Sequence, residues 1–85
     1  MKIFYSPTFK KRYKKLPEEI KLQAEKKEVL FRKNLFYSSL GTHKLHGRMQ
    51  SLYAFWINKE YRIIFEFIDE NVVRFHVVGK YDIYK

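Results

Sequence analysis

The sequence has no cysteine, a single tryptophan, two prolines and three glycines. Without cysteine there is no disulfide framework and no thiolate metal site, which fits a reducing compartment. No apolar run approaches the ~20 residues of a membrane span, and the N-terminus lacks the apolar stretch of a secretory signal. The chain therefore reads as cytoplasmic. Acidic residues are also scarce: nine Asp and Glu stand against 18 Lys and Arg, a net charge of +9. So one-sided a charge implies a polyanionic or acidic partner, either nucleic acid or an acidic protein. A lipid surface is disfavoured, because no helix pairs a basic face with a wide exposed hydrophobic one.

Aromatic residues are abundant, with eight Phe and seven Tyr among 85 residues. A chain of this length is one domain, residues 1–85, and large rings let so small a domain build a core. Lys2–Tyr5 reads as a short buried strand. Ser6 is a helix N-cap and Pro7 the first helical residue. Phe9, Tyr13 and Leu16 then recur with helical spacing, while Lys10, Lys11, Arg12, Lys14 and Lys15 make the outer face basic. Pro17 breaks this helix and opens a second, with Glu18 and Glu19 in its first turn and Arg32 and Lys33 in its last. Ile20, Ala24, Phe31 and Leu35 line its apolar face, so the two helices are expected to form a hairpin. Residues 34–43 form a loop pinned by Leu35, Phe36 and Leu40.

Three strands follow, Leu52–Ile57, Tyr61–Ile68 and Val72–Val78, separated by turn-like triplets. Matching apolar faces across the last turn pairs Ile68 with Val72, Glu66 with Arg74 and Ile64 with His76. Arg62 then lies near Val78, beside the start of the C-terminal tail, and Val77 shares a face with Val73 and Phe75.

Several side chains suit RNA chemistry. Cleaving RNA needs a base for the 2′-OH, an acid for the leaving oxygen and cations around the phosphorane. Lys44, His46 and Arg48 alternate, so an extended backbone turns all three to one side; histidine titrates close to neutrality, which suits proton transfer. The same residues also read as an ordinary solvated loop. Arg62 is costly in a strand without a partner or an anion; the alternatives are a phosphate contact or an ion pair with Glu60 or Glu66. His76 reads as a packed sheet residue. His43 and His46 lack a third ligand at sensible spacing, so no metal is expected. The tail Lys80, Tyr81, Asp82, Ile83 and Tyr84 brings a cation and phenols that can stack on bases, or packs as a final half-strand.

The order of elements, the basic helical hairpin, the segments KLHG and EYRIIFEF, and the ending GKYDIY together resemble the RelE/ParE toxin superfamily of bacterial type II toxin–antitoxin modules. The resemblance covers essentially the whole chain. It implies an α+β fold, a two-helix hairpin packed on a small curved antiparallel sheet with an N-terminal strand. In the RelE-like branch it implies a metal-independent, cofactor-free endoribonuclease that cuts mRNA in the ribosomal A site and is wrapped by a small acidic, partly disordered antitoxin. Carried over by position, Arg62 is the arginine that stabilises the transition-state phosphate. Lys44 and His46 supply a base or phosphate contacts, Tyr84 orients or stacks on substrate, and Lys80, Tyr81 and Arg48 bind it. Tyr81 departs from the His or Arg common before the Asp82 position, and a phenol is a poorer acid at neutral pH. Two other readings remain open: a ParE-like toxin that inhibits DNA gyrase by binding, and a non-catalytic nucleic-acid or ribosome-binding module.

Overall fold

Ser6 and Pro7 start the first helix as their chemistry dictates. The Ser6 hydroxyl oxygen accepts a hydrogen bond from the Phe9 amide at 3.0 Å, and Pro7 occupies the first turn, where no amide donor is needed. The computed structural model describes residues 1–47 and 51–84, with the backbone alone for Tyr81 and Tyr84. Strand β1 (Lys2–Tyr5) leads into α1 (Pro7–Lys14), and α2 (Glu18–Lys33) follows directly after Pro17. A 3-10 turn (Ser38–Leu40) precedes the two-residue β2 (His43–Lys44). Strands β3 (Tyr53–Trp56), β4 (Tyr61–Asp69) and β5 (Val72–Lys80) form the meander, and a second 3-10 turn spans Tyr81–Tyr84.

The five strands lie in the order β1-β5-β4-β3-β2. The meander and β2 are antiparallel, whereas β1 joins the edge of β5 in parallel, so the sheet is mixed. Both helices cover one face. Phe9, Ile20, Ala24 and Phe31 meet Ile3, Phe55, Ile63, Phe65 and Phe75 there. Phe31 is fully buried, and its ring lies 4.7 Å from Phe55, 5.0 Å from Phe65 and 5.5 Å from Phe75. The opposite face carries a smaller cluster of Leu45, Ala54 and Ile64, backed by Leu52, Val77 and Ile83.

Two bulges change the expected register. Glu66 does face Arg74, but Ile68 is an extra residue on β4, so Asp69 rather than Ile68 meets Val72. His76 is an extra residue on β5, so Ile64 meets Val77 and Arg62 meets Gly79. An unpaired residue reverses the alternation beyond it. Val77 consequently joins the Ile64 side, and Val78 enters the helix-covered core. The bulge is stabilised from outside the hairpin. Ser6 donates its hydroxyl to the His76 carbonyl at 2.6 Å, and the Ser6 amide donates to the Phe75 carbonyl at 3.0 Å. Strand β5 also runs two residues further than expected, taking Gly79 and Lys80 out of the tail.

The 34–43 loop is pinned by Leu40, which is fully buried, and not by Phe36, which is 67% exposed. At Gly41 the backbone turns left-handed (φ 58°), and a Cβ there would sit 2.7 Å from the Trp56 ring. That close approach explains why glycine follows the 3-10 turn.

Candidate nucleic-acid interface

Arg62 pairs with Trp56 across β3 and β4, so both side chains leave the sheet on the same side. Its guanidinium carbon lies 5.5 Å from the centre of the Trp56 ring, within cation–π range. Nη1 donates to the carbonyls of Asn58 at 2.8 Å and Lys59 at 2.9 Å, with Tyr61 further off at 3.3 Å. Neither Glu60 nor Glu66 pairs with it among the described residues. One nitrogen thus closes the β3–β4 turn, while Nε and Nη2 meet no described acceptor. Arg62 borders a cleft of about 310 Å³ lined by Lys27, Ser39, Trp56, Asn58 and Lys59. Three cations and no carboxylate line it, an arrangement suited to a phosphate.

The other expected site residues are not gathered around Arg62. Lys44 is level with Tyr53 and Leu45 bonds Leu52, so the chain runs toward His46 away from the Trp56–Arg62 row, whereas Lys80 and the C-terminal turn lie at the Arg62 end. The backbone of Arg62 meets Gly79 of β5, just before the C-terminal turn, although its guanidinium leans the other way, over β3. Lys44 pairs with Tyr53, whose ring packs on the helix-covered core, so Lys44 and Arg62 start from opposite faces. His46 is exposed just beyond β2. Arg48 lies outside the described residues. Lys80 ends β5 opposite Tyr61, with its ammonium 5.9 Å from the Tyr61 ring centre. Tyr81 and Tyr84 fall in the C-terminal 3-10 turn with exposed Asp82 between them; their side chains lie outside the described part. His76 is half-buried, and its Nε2 lies 2.9 Å from Glu66 Oε1. The Glu66 carboxylate therefore goes to His76 and not to its cross-strand neighbour Arg74. Among the described residues, no three His, Asp or Glu side chains cluster at metal-ligand spacing.

The basic face of α1 is divided between two further clefts. Lys10 and Lys14 border an apolar groove of about 410 Å³ between the helices, floored by Phe9, Tyr13 and Ala24, with Glu25 and Glu28 on the far rim. The helices share a core but leave their seam open. Lys11, Arg12 and Lys15 face a different cleft of about 610 Å³, bounded by Tyr61, Val78 and Gly79.

Burial raises the phenol pKa of Tyr5 above its ordinary value near 10, reinforced by its hydrogen bond to Glu28, with Arg32 opposing. Burial also raises Tyr13, with Glu25, Glu28 and Glu18 adding to it. Below the ordinary value both folded and unfolded phenols are neutral. Above it the unfolded chain loses these protons first, so stability falls as pH rises through the folded values. Thermal unfolding followed by circular dichroism should show the melting temperature dropping above about pH 10, and less steeply in a Tyr5→Phe/Tyr13→Phe variant. An equally steep drop in that variant would remove these phenols as its cause.

No protein-family model matches the sequence, and comparison with curated proteins returns no match. Solved structures do match. E. coli YafQ superimposes with a TM-score of 0.81 at 16% identity, over 96% of this chain and 94% of that one. A YoeB/ParE toxin from Agrobacterium tumefaciens gives 0.80 at 12% identity, over 95% and 99%. A YoeB–YefM complex from Staphylococcus aureus gives 0.77 at 18% identity, over 95% and 97%. The chain has the RelE/ParE-like toxin fold.

Within this RelE/ParE-like fold, the residues that shape the clefts include several that sequence patterns left unmarked. Trp56 serves both as the platform under Arg62 and as the wall against Gly41. Pairing Leu52–Ile57 with Tyr61–Ile68 through the intervening turn brings Trp56 opposite Arg62, so a signal was present. Lys27 arrives from α2, and no local pattern announces that. Arg12 was one cation among five; only the folded chain puts its Nη1 3.4 Å from the position a Cβ on Gly79 would take.

Proposed function

We propose that this protein is the toxin of a type II toxin–antitoxin module and that it cleaves mRNA in the ribosomal A site. The observation that carries the reading is Arg62, held over Trp56 through one nitrogen while the rest of its fork stays free beside Lys27 and Lys59. A pre-aimed guanidinium in a cleft without carboxylates stabilises a phosphorane at little reorganisation cost. In this reading a base, with His46 or Lys44 as candidates, takes the 2′-OH proton and the 2′ oxygen attacks the adjacent phosphorus. The bond to the 5′ oxygen breaks, and that oxygen leaves with a proton. One product ends in a 2′,3′-cyclic phosphate and the other in a 5′-hydroxyl. Lys80, Tyr81 and Arg48 bind the strand and Tyr84 stacks on it. Adding the purified protein to a translating extract and mapping mRNA by primer extension should reveal new ends within codons. An extract with undiminished full-length message would sink the reading.

A second reading has one observation in its favour. Lys44 and Arg62 begin on opposite sheet faces, which suits a surface that works by binding, as in a gyrase-inhibiting toxin. Growth arrest with intact mRNA and blocked supercoiling by purified gyrase would select it.

The antitoxin partner fits the groove between the helices. Structures of the same fold include YoeB–YefM and DinJ–YafQ toxin–antitoxin complexes. An acidic, partly disordered segment that folds on binding would place carboxylates on Lys10 and Lys14 and apolar side chains on Phe9 and Tyr13. Its affinity should fall as salt rises, because exposed charges are screened beyond about 8–10 Å. Co-expression of the native operon followed by a pull-down should recover a small acidic protein; recovery of none would count heavily against a toxin–antitoxin module.

A further inference from the structure

The cleft beside Lys11, Arg12 and Lys15 carries an assignment of its own. Thr8, Lys11, Arg12 and Lys15 form one stripe along α1, at successive helical turns. The stripe ends in a hydroxyl at one side and two lysines and a guanidinium at the other, all donors to an anion. Leu16 and Pro17, between the helices, close one end of the cleft, and Tyr61, Val78 and Gly79 form the opposite wall. No carboxylate lines it. Among the described residues, none of Lys11, Arg12 and Lys15 makes an ion pair.

The wall opposite the cations is chemically distinct. Tyr61 offers a half-buried ring, and Lys80 stands 5.9 Å from its centre. Because successive residues of a strand point to opposite faces, Tyr61 borders this cleft while Arg62 borders the smaller one. Two basic clefts thus flank the first two residues of β4. The seam between them is at Gly79, which pairs with Arg62. A Cβ there would come within 2.6 Å of Ile83 in the C-terminal turn and 3.4 Å of Arg12 Nη1. Glycine lets the Arg12 guanidinium lie against the backbone at the junction of both clefts and the turn.

We propose that this cleft is a nucleotide-binding subsite for single-stranded RNA, and that Arg12, at the Gly79 seam, holds the phosphate of a strand continuing from Arg62. Arg12, Lys11 and Lys15 hold backbone phosphates, and Tyr61 supplies a face for a base. Cations paired with one aromatic ring and no acidic rim are the chemistry of single-strand binding. The interhelical groove, by contrast, has a broader apolar floor and glutamates on its far rim, which disfavour a run of phosphates. The assignment rests on the RNA-directed reading above, and its test is independent of cleavage.

Fluorescence anisotropy of the full chain with a short labelled oligouridylate measures the subsite directly. Arg12→Gln and Lys15→Gln should each weaken binding on the order of tenfold, with melting temperatures held close to that of the unsubstituted protein. Each should also flatten the dependence of log K on log salt by about 0.7, the signature of one lost phosphate contact on a single strand. Binding that keeps both its affinity and its salt slope in the two variants overturns the subsite, whether or not the protein cleaves mRNA. So does a polyglutamate probe that binds through Arg12 and Lys15 when oligouridylate does not, since the cleft would then serve an acidic partner. Variant-sensitive oligouridylate binding alongside intact mRNA in the extract would keep the subsite and remove the cleavage reading.

Discussion

Replacing Arg62 with alanine is expected to lower mRNA cleavage and growth inhibition by a factor of about 10²–10³, the size of losing one preorganised charge contact to a transition state. The fold should survive. Ile63, Ile64 and Phe65 carry the packing of β4 and are all buried. The two turn carbonyls that Arg62 caps belong to Asn58, partly exposed, and Lys59, exposed, so water can replace the lost donors. Arg62→Lys should recover only part of the activity. A guanidinium can close the turn with one nitrogen and grip phosphate with the others, whereas an ammonium is a single point charge. Circular dichroism separates a folded, inactive variant from an unfolded one. A variant that is folded and fully toxic would move the protein to a binding-only mode of inhibition, and one that is unfolded would make Arg62 structural.

Phe31→Ala should have the largest effect on stability. The ring is fully buried and touches three other phenylalanines, one from each of the three strands of the meander. Truncating such a residue costs about 3–5 kcal/mol through lost transfer energy and the cavity left behind. Small domains hold only about 5–15 kcal/mol in total. At about 4–8 °C per kcal/mol for a chain of this length, the melting temperature should fall by tens of degrees, and expression at growth temperature should suffer. Phe31→Leu keeps most of the volume and should cost clearly less. A thermal melt within a few degrees of the unsubstituted protein for Phe31→Ala would show that α2 is not anchored through this ring.

Local chemistry was readable wherever it acts on its own neighbours. Ser6 and Pro7 cap a helix by short-range hydrogen bonding, Pro17 separates two helices through its fixed φ, and alternation marks the meander strands. The β-bulges at Ile68 and His76 were not readable, because alternation on either side of each is intact and only the phase between them changes. The stabilisation of the second bulge comes from Ser6, at the other end of the chain, beyond the reach of any local pattern. The parallel partner of β1 was hidden for the same reason. For the candidate site, Arg62 was singled out from the cost of burying an arginine; in the fold it is only partly buried and pairs with neither Glu60 nor Glu66 among the described residues. Its actual partners are turn carbonyls and an indole, neither of which carries a charge to point to them. The basic helix was visible as one surface, but its division between an apolar groove and a nucleotide-sized cleft depends on which strand ends lie opposite each lysine.

The parallel seam between β1 and β5 also dictates the order in which the molecule can be completed. Lys2 through Tyr5 find their strand partners only at Val72 through Phe75, and the hydroxyl that caps α1 also takes a carbonyl 70 residues downstream. While the chain is being synthesised, its first strand has nothing to pair with until Val72–Phe75 has emerged. The cleft between α1 and the end of β5 needs residues of both, so it cannot exist before Gly79 has emerged. A nascent chain that has not yet exposed β5 already carries the cations of α1 without the cleft they line. Chains cut short before Val72 should remain equally unformed, since their first strand never meets its partner.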